Sequence, residues 1–435
     1  MTYYDRLDPN GLEILEYVSR FRRDFHRHPE LSWCEFRTTA VICRELKDLG
    51  YEVSWGKALW GDLQPHNLPP AEQLQQSYLE ARQLMGEDDP YLPDMEGGYT
   101  GLVARMRCSD DDLHQAFRFD IDALHVAESD ASSHLPTELG FASCHESKMH
   151  ACGHDGHMAI GLGLAKLIAE HKNALRGTVT LFFQPAEEVS GGGVHFAKLP
   201  YLKGVQRLFS VHVGIVDQPV LVCDATWISA GVFDVVMKGR SAHAGNNPEY
   251  ARNALLAACH GITALYGIAR HSSGASRVNV GMLHSDNPNN VVSAETGFRF
   301  EVRGKSDAIR EYMEQRATQI LHGAGAMHEV EVSMSRRSVY ENHPSHPELA
   351  RQVKDQALAF GLRPDEVWDS YQVPASEDAT FMTRAVNDQG GQACHLIFGC
   401  PVIGGHHNGR FDIPDQLLAW GASFYFHLAR TGAEQ

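Results

Sequence analysis

The sequence predicts an α/β protein in which helices cover a mixed, largely parallel sheet and a smaller ferredoxin-like α+β domain is inserted. Apolar, β-branched runs alternate with helical runs between residues 101 and 214, which is typical of strand–helix–strand units. The order then changes to β-α-β-β-α-β, which is that of a ferredoxin-like module. After His346 the chain returns to helix and strand, so we expect the first domain to resume behind the insertion.

The elements of the first part follow from local patterns. Residues 11–28 and 38–49 carry apolar residues at helical spacing, so both predict helices. Residues 56–99 are rich in Pro, Gln and acidic residues, and we interpret them as a surface insertion with a helical patch at residues 74–85. A helix is also predicted over residues 159–171. Strands are predicted in YEVSW, GLVARM, QAFRFDIDAL, TVTLFFQP and RLFSVHVG.

The inserted domain is predicted at residues 224–339, as a lid or dimerisation domain, and residues 1–223 and 340–435 form the larger domain. Chains longer than ~250–300 residues usually divide in this way. In the insertion, helices are predicted over residues 253–269 and 306–323. Its strands are GVFDVVMKG, SRVNVGML, TGFRFEVRG and HEVEVSMSR. Behind it, PELARQVKDQALAF predicts a helix and ACHLIFG a strand.

Composition and charge narrow the classes of function. Lys plus Arg is 38 and Asp plus Glu is 55, so the formal net charge is −17. Nucleic acids and anionic membranes require clustered cations, and the acidity argues against both. No apolar run approaches the ~18 residues of a membrane span, and the amino terminus lacks the pattern of a signal peptide. We therefore expect a soluble cytoplasmic protein with reduced cysteines.

The densest group of chemically capable residues is the stretch MHACGHDGH, which includes Cys152 and His154. Thiolate and imidazole are the usual ligands of borderline divalent ions, and a loop turning at Gly153 can direct two side chains to one point. A histidine-rich turn in which Asp155 caps the next helix is the alternative interpretation. One cysteine and three histidines in so short a stretch favour a metal site.

Three further segments place polar side chains at the ends of predicted strands. Glu187 and Glu188 follow the most hydrophobic strand, where one carboxylate can bind a cation and the other can act as a general base. His212 lies in an apolar strand, and His406 and His407 lie in a glycine-rich loop after another. Open α/β sheets place their sites at the carboxyl ends of strands, so these segments predict one common site.

Nine stretches between residue 21 and residue 412 carry further information, namely FRRDFHRHPELS, FRFDIDAL, MHACGHDGH, FQPAEE, SVHVG, SAHAG, NNVV, SEDA and HHNGRFD. In these stretches the sequence resembles the metal-dependent amidohydrolase family that includes hippurate hydrolase and the indole-acetyl-amino-acid hydrolases. The stretches follow the family's order, so the resemblance covers almost the whole chain.

This resemblance implies two divalent ions per chain, with manganese expected and zinc as the alternative. His407 is preferred to His406 because the family pattern falls on His407 and Phe411. The implied metal ligands are Cys152, His154, Glu188, His212 and His407.

Four more residues match family positions. Glu187 matches the general base, and His243 matches a residue that polarises the scissile carbonyl, in some relatives across a dimer. Asp120 and Asp122 match an Asp-x-Asp motif that orients ligands rather than binding metal.

The resemblance also implies the substrate class, an N-acyl amino acid such as p-aminobenzoyl-glutamate or a related aromatic acyl-glutamate or acyl-aspartate. Acidic substrates require local cations in an acidic protein, and Arg303 at a strand end suits carboxylate recognition. Asn279 and Asn290 are further candidates for substrate binding. Indole-acetyl-aspartate, other N-acyl amino acids and dipeptides remain alternatives.

The chain departs from the family at two places near the expected pocket. Asn408-Gly409 replaces the usual Ser-Pro, and Ala379 replaces a Phe. They affect the expectation for the substrate rather than for the metal chemistry.

Two other classes of protein stay open: a cysteine hydrolase that uses Cys152 and a catalytically silent metal-binding subunit. We expect a homodimer formed through the inserted domain, and a second related subunit is the alternative partner.

Overall fold

The computed structural model describes residues 1–431, and in this range twelve α-helices and fourteen strands are formed. The helices are α1 (Pro9–Arg27), α2 (Phe36–Asp48), α3 (Gly56–Trp60), α4 (Ala71–Met85), α5 (Leu135–Glu138), α6 (His154–Glu170), α7 (Gly193–Phe196), α8 (Ala254–Leu265), α9 (Asp307–Met327), α10 (Pro347–Ala359), α11 (Ala379–Asp388) and α12 (Asp415–Thr431). The strands are β1 (Glu52–Trp55), β2 (Leu102–Arg107), β3 (His114–Asp120), β4 (Thr178–Gln184), β5 (Arg207–Val213), β6 (Leu221–Val222), β7 (Ala225–Thr226), β8 (Ser229–Lys238), β9 (Ser276–His284), β10 (Glu295–Gly304), β11 (Glu331–Tyr340), β12 (Val367–Trp368), β13 (Tyr371–Gln372) and β14 (Gln392–Phe398).

The chain divides into two units. The first contains residues 1–226, 343–373 and those from Asp378 onward, and the second contains Trp227–Asn342 with Pro374–Glu377. The boundaries expected at 224 and 339 thus lie three residues before those of the second unit. The short segment Pro374–Glu377 had no signal in the sequence, and it is attached where the Ile228 N–H donates to the Ala375 carbonyl at 3.0 Å.

The first unit is built on an eight-stranded sheet in the order β1-β2-β4-β3-β5-β14-β6-β12. The central strands β4, β3, β5 and β14 pair in parallel, whereas β1, β2 and β6 form antiparallel pairs. The four central strands are buried along nearly their whole length, which explains why they appear in the sequence as continuous apolar runs. The mixed, largely parallel sheet predicted from the sequence is confirmed.

Helices α1, α6 and α12 pack against one another beside this sheet. Most of α6 is buried, because its neighbours cover it on all sides. Gly163 permits the close approach, since a Cβ there would lie 2.7 Å from Val18 Cγ1 and 2.9 Å from Ala422 Cβ. The packing fixes the position of the amino terminus of α6, where His154 lies.

The second unit is a four-stranded antiparallel sheet in the order β11-β8-β10-β9, with α8 and α9 packed on one face. Its strands follow the chain as β8-α8-β9-β10-α9-β11, so the predicted ferredoxin-like module is confirmed. It has a separate apolar core that includes Phe233, Phe300 and Met313.

Residues 56–99 differ from the surface insertion expected, because several of their side chains enter the core. Trp60 is 2% exposed and its indole N–H donates to the Thr100 carbonyl at 3.1 Å. Tyr78 and Met95 are also buried. These buried apolar side chains are widely spaced in a Pro- and Gln-rich segment, so the composition gave no sign of them.

Among the described residues, no helix has both the length and the apolar character needed to cross a membrane.

Candidate metal centre

The candidate site lies at one edge of the large sheet, beyond the carboxyl ends of its parallel strands. Asp120 ends β3, Glu187 and Glu188 follow β4, and His212 lies at the end of β5. His407 is in the loop after β14, and its N–H donates to the Ala151 carbonyl at 2.8 Å, which joins that loop to the one carrying Cys152. Parallel strands bring their carboxyl ends together, so the topology itself assembles these side chains.

The five predicted ligands form overlapping groups in which potential ligand atoms lie within 4.8 Å of one another. Cys152, His154 and His212 form one group, and Cys152, Glu188 and His407 form another. The Cys152 Sγ is 3.5 Å from His212 Nε2, and Glu188 Oε1 is 3.6 Å from His407 Nε2 and 3.9 Å from His154 Nε2.

The turn between Cys152 and His154 requires a glycine, as the sequence suggested. Gly153 has φ +91°, and a Cβ there would lie 2.6 Å from Val213 Cγ2. The turn lets the side chains of both neighbours face the same space, and α6 begins directly at His154. Gly153 rather than Asp155 occupies the cap position of the helix.

Backbone carbonyls orient two of the imidazoles. The Nδ1–H of His154 donates to the Asp122 carbonyl at 2.8 Å, and the Nδ1–H of His212 donates to the Val213 carbonyl at 2.9 Å. In both rings the Nε2 atom is therefore directed into the site, which is the arrangement that metal-binding histidines adopt.

Two buried polar atoms at the centre of the site, His154 Nε2 and Glu188 Oε1, have no hydrogen-bond partner within residues 1–431. Buried polar atoms are normally paired, and an ion would satisfy both. The donor set of one thiol, three imidazoles and one carboxylate suits zinc or manganese. The residues present thus fit a divalent-metal site.

The electrostatics of the site also favour a cation. Burial, together with Glu188, Glu187 and Asp120, raises the pKa of Cys152 well above its usual value. Burial acts to lower the pKa of His154, but Asp120, Asp122 and Glu188 outweigh it and raise this pKa to about 10. Burial raises the pKa of Glu188 to about 7. Such crowded carboxylates require protons or a metal ion to balance their charge.

Asp120 belongs to a buried network beside the site. Val213 N–H donates to His157 Nε2 at 3.0 Å, so the Nδ1–H of His157 donates to Asp120 Oδ1. Arg118 donates to the other oxygen of Asp120 at 2.8 Å. Because both ring nitrogens of His157 are occupied, His157 supports Asp120 and does not offer a ligand atom.

Asp122 holds the turn that carries the two glutamates. Its Oδ1 accepts the Glu187 N–H at 3.1 Å and its Oδ2 accepts the Glu188 N–H at 3.0 Å. The Ser32 hydroxyl donates to Oδ2 at 2.6 Å. Both oxygens of this carboxylate thus accept hydrogen bonds from the protein, which suits an orienting role.

His406 also lies next to Cys152, with its Nδ1 3.7 Å from the sulfur. Burial lowers the pKa of His406 to about 4, so its ring is neutral at physiological pH. His407 is the histidine that groups with both Cys152 and Glu188, and half of its side chain is exposed towards solvent.

Glu187 is 7% exposed, and its Oε1 accepts the Asp378 N–H at 3.4 Å. The Asp378 carboxylate in turn accepts from Arg118 at 3.0 Å and from the Gly193 N–H at 2.8 Å. Sequence reasoning missed Arg118 and the carboxylate of Asp378. One signal was available, because a charged residue between Phe117 and Phe119 in a buried strand must find a partner.

The remaining predicted residues lie in the second unit. The Gly245 and Asn246 N–H groups both donate to His243 Nδ1 at 3.1 Å, and the Asn290 carbonyl accepts the Ala244 N–H at 2.9 Å, so His243 and Asn290 lie on adjacent segments. Asn279 is exposed on β9. Arg303 donates two hydrogen bonds to Glu301, at 2.9 and 3.1 Å.

Comparison with known proteins identifies similar sequences. The model for the peptidase family M20/M25/M40 matches residues 116–431. One of the subunits of the p-aminobenzoyl-glutamate hydrolase of Escherichia coli K12 is 38% identical, with 95% of this chain and 94% of that protein covered. The indole-3-acetyl-aspartic acid hydrolase of Enterobacter agglomerans is 36% identical, with 94% of each covered.

Solved structures share the fold. The aminobenzoyl-glutamate utilization protein of Klebsiella pneumoniae superposes with a TM-score of 0.79 at 31% identity, and the match covers 98% of both chains. A Bacillus subtilis protein described as a dinuclear metal binding peptidase has a TM-score of 0.70 at 22% identity, covering 98% of this chain and 99% of that one.

Proposed function

The chain belongs to the peptidase family M20/M25/M40, and from this membership we propose that it is a two-metal amidohydrolase of N-acyl-glutamates or N-acyl-aspartates. As a member of this family it is a hydrolase of linear amide bonds in acyl amino acids. One observation carries the proposal of a metal mechanism. Five potential ligand residues lie together beside the buried carboxylate of Glu187, and two of their buried atoms, His154 Nε2 and Glu188 Oε1, have no hydrogen-bond partner in the described part of the chain.

In the proposed reaction, Cys152, His154, Glu188, His212 and His407 hold two divalent ions, manganese in preference to zinc. Such ions supply Lewis-acid activation of water and of a carbonyl at neutral pH. Glu187 accepts the proton of the attacking water and delivers it to the departing amine. Asp120 and Asp122 keep the ligands and the Glu187–Glu188 turn in position.

His243 is proposed to stabilise the oxyanion that forms on the scissile carbonyl. Two backbone N–H groups occupy its Nδ1, so the ring proton is on Nε2, on the opposite side of an exposed imidazole. A neutral ring in this tautomer is a hydrogen-bond donor, as oxyanion stabilisation requires.

We propose p-aminobenzoyl-glutamate or a related aromatic acyl amino acid as the substrate, because the relatives named above act on such compounds. Asn279, Asn290 and Arg303 are proposed to bind it. Two N–H donors of Arg303 are engaged by Glu301, whereas Arg277, its cross-strand neighbour on β9, is exposed and forms no ion pair within the described residues. Arg277 can therefore supply the cation for a carboxylate if Arg303 remains paired.

A homodimer formed through the second unit is proposed as well. In the four-stranded sheet β9 is an edge strand, and Met282 and Leu283 on it are 44% and 47% exposed. An unpaired edge with apolar side chains favours pairing with a second copy. The Escherichia coli relative is named as one subunit of its enzyme, so a second, different subunit is the alternative partner.

The test is hydrolysis of a panel of N-acyl-glutamates, N-acyl-aspartates and dipeptides by metal-free protein reloaded with manganese or zinc, followed by mass spectrometry. We expect release of glutamate or aspartate, and a loss of ~10²–10⁴-fold in kcat for Glu187→Gln with unchanged ion content. Full turnover by Glu187→Gln would refute the assignment of the base. Activity that survives chelators but not thiol alkylation would favour the cysteine hydrolase instead.

A further inference from the structure

Three successive backbone N–H groups in the turn after β4 donate to buried carboxylates. Asp122 accepts from Glu187 and Glu188, as described above, and Glu35 Oε1 accepts the Ala186 N–H at 2.8 Å. The turn carries both the proposed base and a proposed metal ligand, so its conformation sets the direction of both side chains. Glu35 has no assigned role in this arrangement.

The setting of Glu35 indicates that its side chain serves the turn rather than its own helix. Glu35 precedes α2 but makes no side-chain hydrogen bond to that helix. It is 0% exposed, and its second oxygen accepts the Thr100 hydroxyl at 2.7 Å. No arginine, lysine or histidine forms an ion pair with it in residues 1–431. Burying a carboxylate without a cation is costly, and the cost is tolerated where the group has a task.

The turn needs such a support because its backbone is strained. Ala186 has φ +55°, a left-handed conformation that is unfavourable for a residue with a Cβ. This conformation persists only when contacts with the surrounding residues hold it in place. Glu35 provides one such contact, and without it the buried Ala186 N–H would lose its hydrogen-bond partner. Burial and the nearby charge of Asp122 raise the pKa of Glu35, and in either protonation state an oxygen of the side chain can accept the Ala186 N–H.

We propose that Glu35 is a positioning residue for the proposed amide hydrolysis, which holds the Ala186–Glu188 turn so that Glu187 and Glu188 face the metal centre. This inference rests on the proposed function, because its effect on kcat can be measured only if the protein hydrolyses acyl amino acids. Glu35 acts through Ala186 and the backbone of the turn, without contact with the substrate.

Two substitutions separate this role from a merely structural one. In Glu35→Gln the amide oxygen can accept the Ala186 N–H and the amide NH2 can donate to Thr100, so we expect kcat within about twofold of the wild type. In Glu35→Ala the turn is released, and we expect kcat to fall by about 10–100-fold with little change in KM. The affinity of metal-free protein for manganese should also fall by about tenfold or more, because Glu188 lies in the same turn.

Glu30→Ala is the matched control. Glu30 accepts the Arg37 and Thr38 N–H groups at 2.9 and 2.7 Å, so its loss also removes a carboxylate that holds backbone amides, but at the start of α2. It should lower thermal stability and leave kcat and manganese affinity close to wild type. If Glu35→Ala does not fold, Glu35→Asp, which withdraws the carboxylate by one methylene, replaces it in the comparison.

The proposal is overturned if Glu35→Ala, or Glu35→Asp in its place, keeps wild-type kcat and manganese affinity, or if Glu35→Gln loses as much as Glu35→Ala. Failure of the proposed function gives a different result, namely a wild type that hydrolyses no acyl amino acid. The manganese affinities of Glu35→Gln and of Glu35→Ala, or of Glu35→Asp in its place, then still decide whether Glu35 supports the turn.

Discussion

Cys152 shows how its surroundings determine what a side chain can do. A nucleophilic cysteine needs a lowered pKa, usually beside a cation, yet burial and three carboxylates raise the pKa of Cys152 well above its usual value. Without a metal ion the thiol stays protonated and unreactive. A bound ion reverses this, since coordination deprotonates a thiol. The raised pKa of Cys152 therefore favours a role as a metal ligand over a role as a nucleophile.

The substitution Cys152→Ala should weaken ion binding. Loss of a residue that only orients a ligand costs ~10–100-fold in metal affinity, and loss of a direct ligand should cost at least as much. We expect fewer than two manganese ions per chain after dialysis, measured by elemental analysis. Cys43→Ala is the control, since Cys43 is also buried but lies in the apolar core, and it should lower stability only. Two tightly held ions in Cys152→Ala would contradict the ligand assignment.

Single residues also mark the limit of what the sequence could predict about the site. The ligand candidates were visible because each lies in a short, unusual motif such as MHACGHDGH or FQPAEE. Glu35 was not visible, because its partner Ala186 is 151 positions away and is an ordinary alanine. Arg118 and Asp378 pair across 260 positions. Contacts of this kind depend on the packed sheet, and no local pattern encodes them.

At the scale of elements, an ion network joins α1 to the start of α6. Arg22 and His26 of α1 both contact Asp155, the residue after His154, at 3.2 and 2.8 Å. The other nitrogen of His26 lies 2.9 Å from Glu128 Oε1. Both contacts converge on the Oδ2 atom of Asp155, and they fix the register of α1 against the helix that carries a proposed ligand.

This network makes stability depend on pH. Burial opposes charging of His26, but Asp155 and Glu128 outweigh it and raise its pKa to about 9. Since the ordinary pKa is about 6.5, the stabilisation is fully present below that pH and is lost as the pH rises through about 9. We expect the free energy of unfolding in urea to fall by on the order of 1–3 kcal/mol between these pH values.

His26→Gln should flatten that part of the pH profile, because glutamine does not titrate. The control is His125→Gln, since His125 is exposed and should leave the slope unchanged. Equal slopes for wild type and His26→Gln would show that the network does not hold a protonated histidine.

The elements themselves were largely predictable. The longer strands of both units lie where apolar or alternating runs were found, because a buried strand needs such residues along its length. The two-residue strands β6, β7, β12 and β13 were not predicted, because so short a segment shows no periodicity. Residues 56–99 were the main exception. Their role depends on a few separate anchors such as Trp60 and Tyr78, and periodicity cannot distinguish these from isolated surface residues.

At the scale of the whole molecule, the two units have separate apolar cores and separate tasks in the proposed mechanism. All five proposed ligands and Glu187 belong to the first unit, whereas His243 belongs to the second. A domain with its own core can in principle fold alone. Ion binding and hydrolysis should therefore be separable by removing one unit.

We predict that replacing residues 227–342 by a flexible Gly/Ser linker leaves a protein that binds manganese but does not hydrolyse acyl amino acids. The ligands remain, so titration of the metal-free protein should give two ions, while kcat falls below detection because the oxyanion donor is missing. His243→Ala in the full chain is the matched comparison, and it should retain both ions and lose ~10²–10³-fold in kcat. The shortened protein should also be monomeric by light scattering if the second unit forms the dimer.

Hydrolysis at the wild-type rate by either protein would remove His243 from the mechanism. Loss of ions in the shortened protein would show that the metal centre depends on the second unit.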